Sequence, residues 1–351
     1  MKGKVVLFMA ALTLFAACNT GKKTVIKGSF SSAENAPATL NILVGNAVDT
    51  LIRVNGDKFE ARIPTNKMAF SYIICDNQPL RFVADGSTLT VDFVNKTVIS
   101  SDENGITSRM NAFDRWETDF RNEFRSKIAG LSEEERQACA TEAIETQNAY
   151  LRQLIQENSD NVIALMCIDK LNLPTLDEKV ELLNTLAPSL KEDPSIAVMI
   201  EDYTNLAATA EGKMFRDFTV VQDAEHPDST TVKLSDYVGK GKYILLYFWA
   251  SWDRTYLEES LYLKPAYDKF RGDRFDMVGV AISDKPEQSR AAAEQVGFTW
   301  DQVVSPGEEP AILYGIQSVP HMVLFGPDGT ILKRGIRAQD LTTVLSETLA
   351  Q

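Results

Sequence analysis

Cysteine and histidine are scarce in this chain of 351 residues. There are two histidines, His226 and His321, far apart in sequence, and four cysteines, Cys18, Cys75, Cys139 and Cys167. None of the spacings makes a CxxC pair or a zinc pattern, so no resident metal is expected. From Gly212 to the end there is no cysteine at all. Positive charge is also short: 36 Lys and Arg stand against 49 Asp and Glu, a net charge of −13. That excludes the basic face a nucleic-acid binder needs. Long apolar runs are absent too. Val5 to Ala16 is the longest candidate, and it is too short to span a bilayer comfortably.

That run is preceded by Lys2 and Lys4 and ends in Phe15-Ala16-Ala17-Cys18. The arrangement resembles the lipobox of bacterial lipoproteins, with Phe15 where the family pattern usually has Leu. The resemblance implies a signal peptide over residues 1–17 and lipid attachment at Cys18. The rest of the chain is then expected in the cell envelope, tethered to the membrane by acyl chains. The segment after Cys18, Asn19-Thr20-Gly21-Lys22-Lys23, carries no acidic run, and its resemblance to known lipoprotein sorting patterns implies the outer membrane and a periplasm-facing orientation. Cys75 and Cys167 lie in apolar runs and read as small buried hydrophobes. A Cys139–Cys167 disulfide remains open.

Three patterns follow. Residues 18–104 carry a β signal from about Thr24 to Ile99, with seven short β-branched and aromatic runs, which predicts a small all-β sandwich or barrel. Asn55-Gly56 sits between two runs as a hairpin signal. Residues 105–211 change to helical periodicity, with Met110, Phe113, Trp116, Phe120 and Phe124 as a packing stripe. Gly130 closes that helix, Ser132 with Glu135 reads as a capping box for the next, and Pro174, Pro188 and Pro194 punctuate further helices.

Residues 212–351 alternate strand and helix. "YILLYFW", Tyr243 to Trp249, is apolar on both faces, as a central strand should be. A helix is expected from about Arg254 to Phe270. The order βαβαββα predicts an α/β domain with a mixed sheet and helices on both faces.

Here the residues resemble a known family. "GKYILLYFWASW", "DMVGVAISD", "GFTWDQV" and "YGIQSVPHMVLFGPDGTILKRG" occur in the order of thioredoxin-like domains of the TlpA and redoxin group. The strand-rich start followed by helices resembles, more loosely, the DUF4369 domain that precedes such domains in lipoproteins. Family members follow the tryptophan with Cys-x-x-Cys, a thiolate at a helix N-terminus and a second thiol to resolve the mixed disulfide. In this chain Trp252 is followed by Asp253 and, three residues on, Tyr256. These are the family's active-site positions in degenerate form, and no catalytic residue and no cofactor are assigned. Asp253 reads as a helix N-cap, with Glu258 and Glu259 near it in sequence, and Tyr256 as cover for the vacated thiol position. Val319-Pro320 matches the family's cis-proline, where the preceding residue offers its backbone to an extended peptide. His321, which follows, reads as a strand residue.

The expectation is an envelope lipoprotein whose redox-inactive thioredoxin-like domain binds or scaffolds an envelope protein or peptide. The alternative is a thiol-disulfide oxidoreductase, or other redoxin-type enzyme, with a degenerate site. A third reading is a non-redox enzyme that recruits Asp253.

Overall fold

The computed structural model describes residues 22–45, 48–75, 78–222 and 231–350. Cys18 and His226 lie outside the described residues. The chain divides into two compact units: residues up to 146 with 160–166, and residues 147–159 with those from 167 on.

The first unit begins with eight strands: β1 (Thr24–Ser29), β2 (Thr39–Val44), β3 (Val48–Arg53), β4 (Lys58–Ile63), β5 (Asn66–Cys75), β6 (Gln78–Ala84), β7 (Thr88–Asp92) and β8 (Thr97–Ser100). They form two four-stranded sheets, ordered β4-β1-β7-β8 and β3-β2-β5-β6. Leu40, Ile42 and Val44 alternate inward along β2, as the period of a half-buried strand requires. Ile26, Phe59, Leu89 and Val91 of one sheet share a core with Leu40, Ile42, Ile73 and Phe82 of the other, so the region is a sandwich.

Two sequence expectations need correction. An eighth strand, β8, was not among the seven runs. Asn55-Gly56 makes a turn, with Gly56 at φ +65°, but no hairpin. β3 pairs with β2 and β4 pairs with β1, in different sheets, and only Asn55 and Lys58 bridge across the turn.

Helix α1 (Ile106–Lys127) follows. Asp85 accepts the Ile106 N–H at 2.7 Å, satisfying one of the helix's free donors. Met110 and Phe113 are buried, while Trp116 stacks on Phe120 at 5.0 Å beside a groove of about 300 Å³ lined also by Cys139 and Ala143. Gly130, at φ +83°, turns the chain. α2 (Glu133–Glu157) then opens on the capping box: the Glu135 carboxylate accepts the Ser132 N–H at 2.9 Å, and the Ser132 hydroxyl accepts the Glu135 N–H at 3.4 Å.

After α3 (Val162–Lys170) and α4 (Leu176–Asn184), the second unit carries α5 (Pro188–Lys191) and α6 (Pro194–Ala208), each with proline in its first turn. β9 (Thr219–Val221) and β10 (Thr231–Lys233) make a separate two-stranded ribbon. The remaining elements are β11 (Tyr243–Trp249), α7 (Thr255–Phe270), β12 (Phe275–Ala281), α8 (Pro286–Val296), β13 (Asp301–Val304), α9 (Glu309–Leu313), β14 (His321–Phe325), β15 (Ile331–Arg334) and α10 (Leu341–Leu349).

The sheet order is β13-β12-β11-β14-β15. β11 runs parallel to β12 and antiparallel to β14, so the sheet is mixed. β11 is central and buried on both faces. Leu245, Tyr247 and Trp249 pack with Leu263 of α7 and Leu345 of α10. Ile244, Leu246 and Phe248 pack with Ala311 of α9 and Tyr314. This is the thioredoxin-like architecture expected for the region.

Candidate functional site

β11, β12 and β13 are parallel and leave the sheet at one edge, where α7, α8 and α9 begin. β14 enters from that edge directly after Val319-Pro320, which is a cis peptide. Topology thus gathers residues 250–254, 282–287, 305–309 and 317–320 at one end of the domain.

Hydrogen bonds lace three of these loops together. Asp284 is only 4% exposed. Its carboxylate accepts the Ser251 N–H at 2.6 Å and the Ser251 hydroxyl at 2.7 Å, which supplies the partners a buried carboxylate needs. The Asp284 N–H donates to Ser305 and the Ser283 N–H to Gly307, both at 3.1 Å. The frame holds Trp252, the next residue after Ser251, with 60% of its surface exposed.

Asp253, the expected N-cap, stands one residue before the N-cap position of the structure. α7 starts at Thr255, not Arg254, and Arg254 occupies the cap position without a side-chain cap bond. The Asp253 carboxylate still accepts the Thr255 N–H at 3.1 Å, and the Thr255 hydroxyl donates to it as well. Tyr256 faces the other way. It is 6% exposed, and its ring centroid lies 5.4 Å from that of Trp249. A tyrosine therefore fills core space at this position.

Glu259 was noted in the sequence only for its nearness to Asp253. In the structure the Tyr247 hydroxyl donates to its carboxylate at 2.8 Å. Partial burial pushes the Glu259 carboxyl above its ordinary range, and the Asp253 charge adds to this, while the Tyr247 hydrogen bond opposes it. Burial likewise pushes the Tyr247 phenol up, with the Glu259 charge second. A signal for this contact existed: Tyr247 is a polar-tipped ring in an apolar strand, and buried tyrosine hydroxyls seek a partner.

On the opposite face of the sheet, His321 opens β14. Burial, with the Arg334 charge second, lowers its pKa to about 4, so the imidazole is neutral near pH 7. Arg334 donates to the Tyr314 carbonyl at 2.6 Å, the Thr209 carbonyl at 2.6 Å and the Thr209 hydroxyl at 2.8 Å. It ties the C-terminus of α6 to the start of the loop that carries Val319-Pro320. Gly315, at φ +59°, packs so closely on Leu206 of α6 that a Cβ there would lie 2.8 Å from the Leu206 backbone.

Cys75, Cys139 and Cys167 form no disulfide with one another. Burial pushes the Cys167 thiol up to about 12, which keeps it protonated near neutral pH. Among the described residues, no group of three or more His, Cys, Asp or Glu could hold a metal ion.

The fold and the cis-proline edge define a thioredoxin-like domain. Residues 212–334 match the AhpC/TSA family. The chain is 26% identical over 131 residues to the thiol-disulfide oxidoreductase ResA of Geobacillus thermodenitrificans, covering 37% of this chain and 72% of the relative. It is 28% identical over 115 residues to ResA of Oceanobacillus iheyensis, covering 33% and 59%. Among solved structures, it is similar to the thioredoxin domain of a thiol-disulfide oxidoreductase from Bacteroides vulgatus, at 27% identity and TM-score 0.35, covering 40% of this chain and 97% of that one.

Proposed function

We propose that the protein is an envelope lipoprotein, anchored through Cys18, whose thioredoxin-like domain binds or scaffolds an envelope protein or peptide without thiol chemistry. One observation carries this reading: the domain has no cysteine from Gly212 on. Thiol-disulfide exchange needs an attacking thiolate and a resolving thiol. Asp253 and Tyr256 supply neither, and the buried Tyr256 ring takes up the room a thiol would need. Binding would use the exposed Trp252 and the backbone at Val319-Pro320.

The second reading, a thiol-disulfide oxidoreductase with a degenerate site, is favoured by the names of the relatives. It would have to draw on Cys75, Cys139 or Cys167. Reduction of insulin disulfides with dithiothreitol as electron source separates the two. The proposal expects the uncatalysed rate. Catalysis abolished by alkylation would replace it with the second reading.

A further inference from the structure

The loop edge described above joins an exposed aromatic ring to an excess of negative charge. Asp253 precedes α7 and Glu258 lies in its first turn; Glu287 lies in the first turn of α8, and Glu308 and Glu309 stand at the start of α9. The basic residues in these loops are Arg254 and Lys285, and Arg337, just beyond β15 at the same edge, is already paired with Asp340 at 2.6 Å. Neither Asp253 nor Glu259 has a basic partner within ion-pair distance among the described residues. Trp252 stands 60% exposed on the loop pinned by Asp284. Further along α7, Leu261 and Tyr262 are 72% and 47% exposed and follow Glu258 at three- and four-residue spacing, so they share its face.

We infer that this edge docks an extended peptide segment bearing arginine or lysine, its cation set against Trp252 and Asp253 and its apolar residues along α7. Charge complementarity selects the occupant. An exposed indole face attracts a cation, and carboxylates around it reinforce that attraction and repel acidic segments. The lacing of Ser251, Asp284 and Ser305 means the surface is formed before the partner arrives, which lowers the ordering cost of binding. The inference rests on the peptide-binding reading of the domain and specifies the chemistry of its partner.

The test uses the full chain and three short unstructured fluorescent peptides that repeat Gly-Arg-Val, Gly-Gln-Val or Gly-Glu-Val, followed by anisotropy at low and at physiological salt. The arginine peptide should bind, more weakly as salt rises, and the other two should bind far less. Trp252→Ala and Asp253→Asn should each weaken it by about two- to fivefold, the range of an exposed cation–π contact or ion pair. Glu294→Gln removes a carboxylate from the far end of α8 and should change little. Equal binding of the glutamine peptide would overturn the charge inference while leaving the peptide-binding reading in place. Binding of the arginine peptide that ignores Trp252 and Asp253 but responds to Glu294 would reduce it to attraction by an acidic chain, and overturn it. Absence of binding by all three peptides would count against both the inference and the reading beneath it.

Discussion

The Tyr247 hydroxyl and the Glu259 carboxylate meet at 2.8 Å beneath the loop that carries Asp253. The strand residue and the helix residue are twelve positions apart in the chain. The carboxyl they share is pushed up by burial first and by Asp253 second.

This predicts a pH effect of known sign. A carboxyl whose pKa is raised on folding stabilises the fold fully below its unfolded pKa, and that contribution is lost as pH rises through the folded pKa. Glu259→Gln keeps the shape and removes the ionisation. Its stability relative to the parent should therefore increase as pH rises from about the ordinary glutamate value of 4.5 toward neutrality. Denaturant unfolding across that range measures it; a difference independent of pH would show that Glu259 does not titrate abnormally. Tyr247→Phe, which removes the donor, should raise the Glu259 pKa further.

Tyr256 should behave as a core residue. Tyr256→Ala should cost about 3–5 kcal/mol, the range for deleting a buried aromatic ring. Tyr256→Phe keeps the ring against Trp249 and should cost under about 1.5 kcal/mol, as volume-conserving changes do. Equal stability of the Ala variant and the parent would mean the ring does not fill the core.

Asp253→Ala should cost about 0.5–2 kcal/mol, the effect of losing a helix-start acceptor. Asp253→Asn should cost less, since its side-chain oxygen still accepts from Thr255. The ranking of the two variants by urea midpoint decides this; equal loss in both would assign the effect to charge alone.

Cys18→Ala should leave an unprocessed precursor that takes up no fatty-acid label in growing cells. Label retained by that variant would place the lipid elsewhere or remove it from the proposal.

Arg334→Gln should expose the loop after Tyr314. The Thr209 carbonyl loses its Arg334 donor and the Tyr314 carbonyl keeps only the longer 3.2 Å bond from the Thr209 hydroxyl, an unsatisfied buried group costing about 1–3 kcal/mol. Hydrogen exchange should quicken at residues 315–321 and at the end of α6, while the amides of β11 and β12 keep their protection. Uniform acceleration would indicate global destabilisation instead.

Much of the fold was legible because its signals are local. The apolar run Tyr243–Trp249 could only be a strand covered on both faces, and Ser132 with Glu135 marked the start of α2 within four residues. What escaped the sequence was long-range. Asn55-Gly56 does encode a turn, but no local signal says that the flanking strands will pair in different sheets. β8 is four residues long and follows a turn at Lys96, leaving too short an alternation to register. The bonds between Ser251 and Asp284, and between Tyr247 and Glu259, join elements that only the folded sheet brings together. Asp253 was misplaced by one position because a helix start can be shared between adjacent residues, with Arg254 in the position before the first helical residue and Asp253 accepting the hydrogen bond.

The link from Arg334 to Thr209 also bears on where the polypeptide can be cut. The family match begins at residue 212, three residues beyond Thr209. A fragment starting there would keep the Tyr314 acceptor and lose both Thr209 acceptors, stranding a guanidinium whose pKa burial already depresses. It would also strip the Leu206 backbone from Gly315. The excised piece would then carry a half-solvated cation beside the very loop whose binding one wished to assay, and weak binding by it would report the site of the cut instead of the properties of the whole chain.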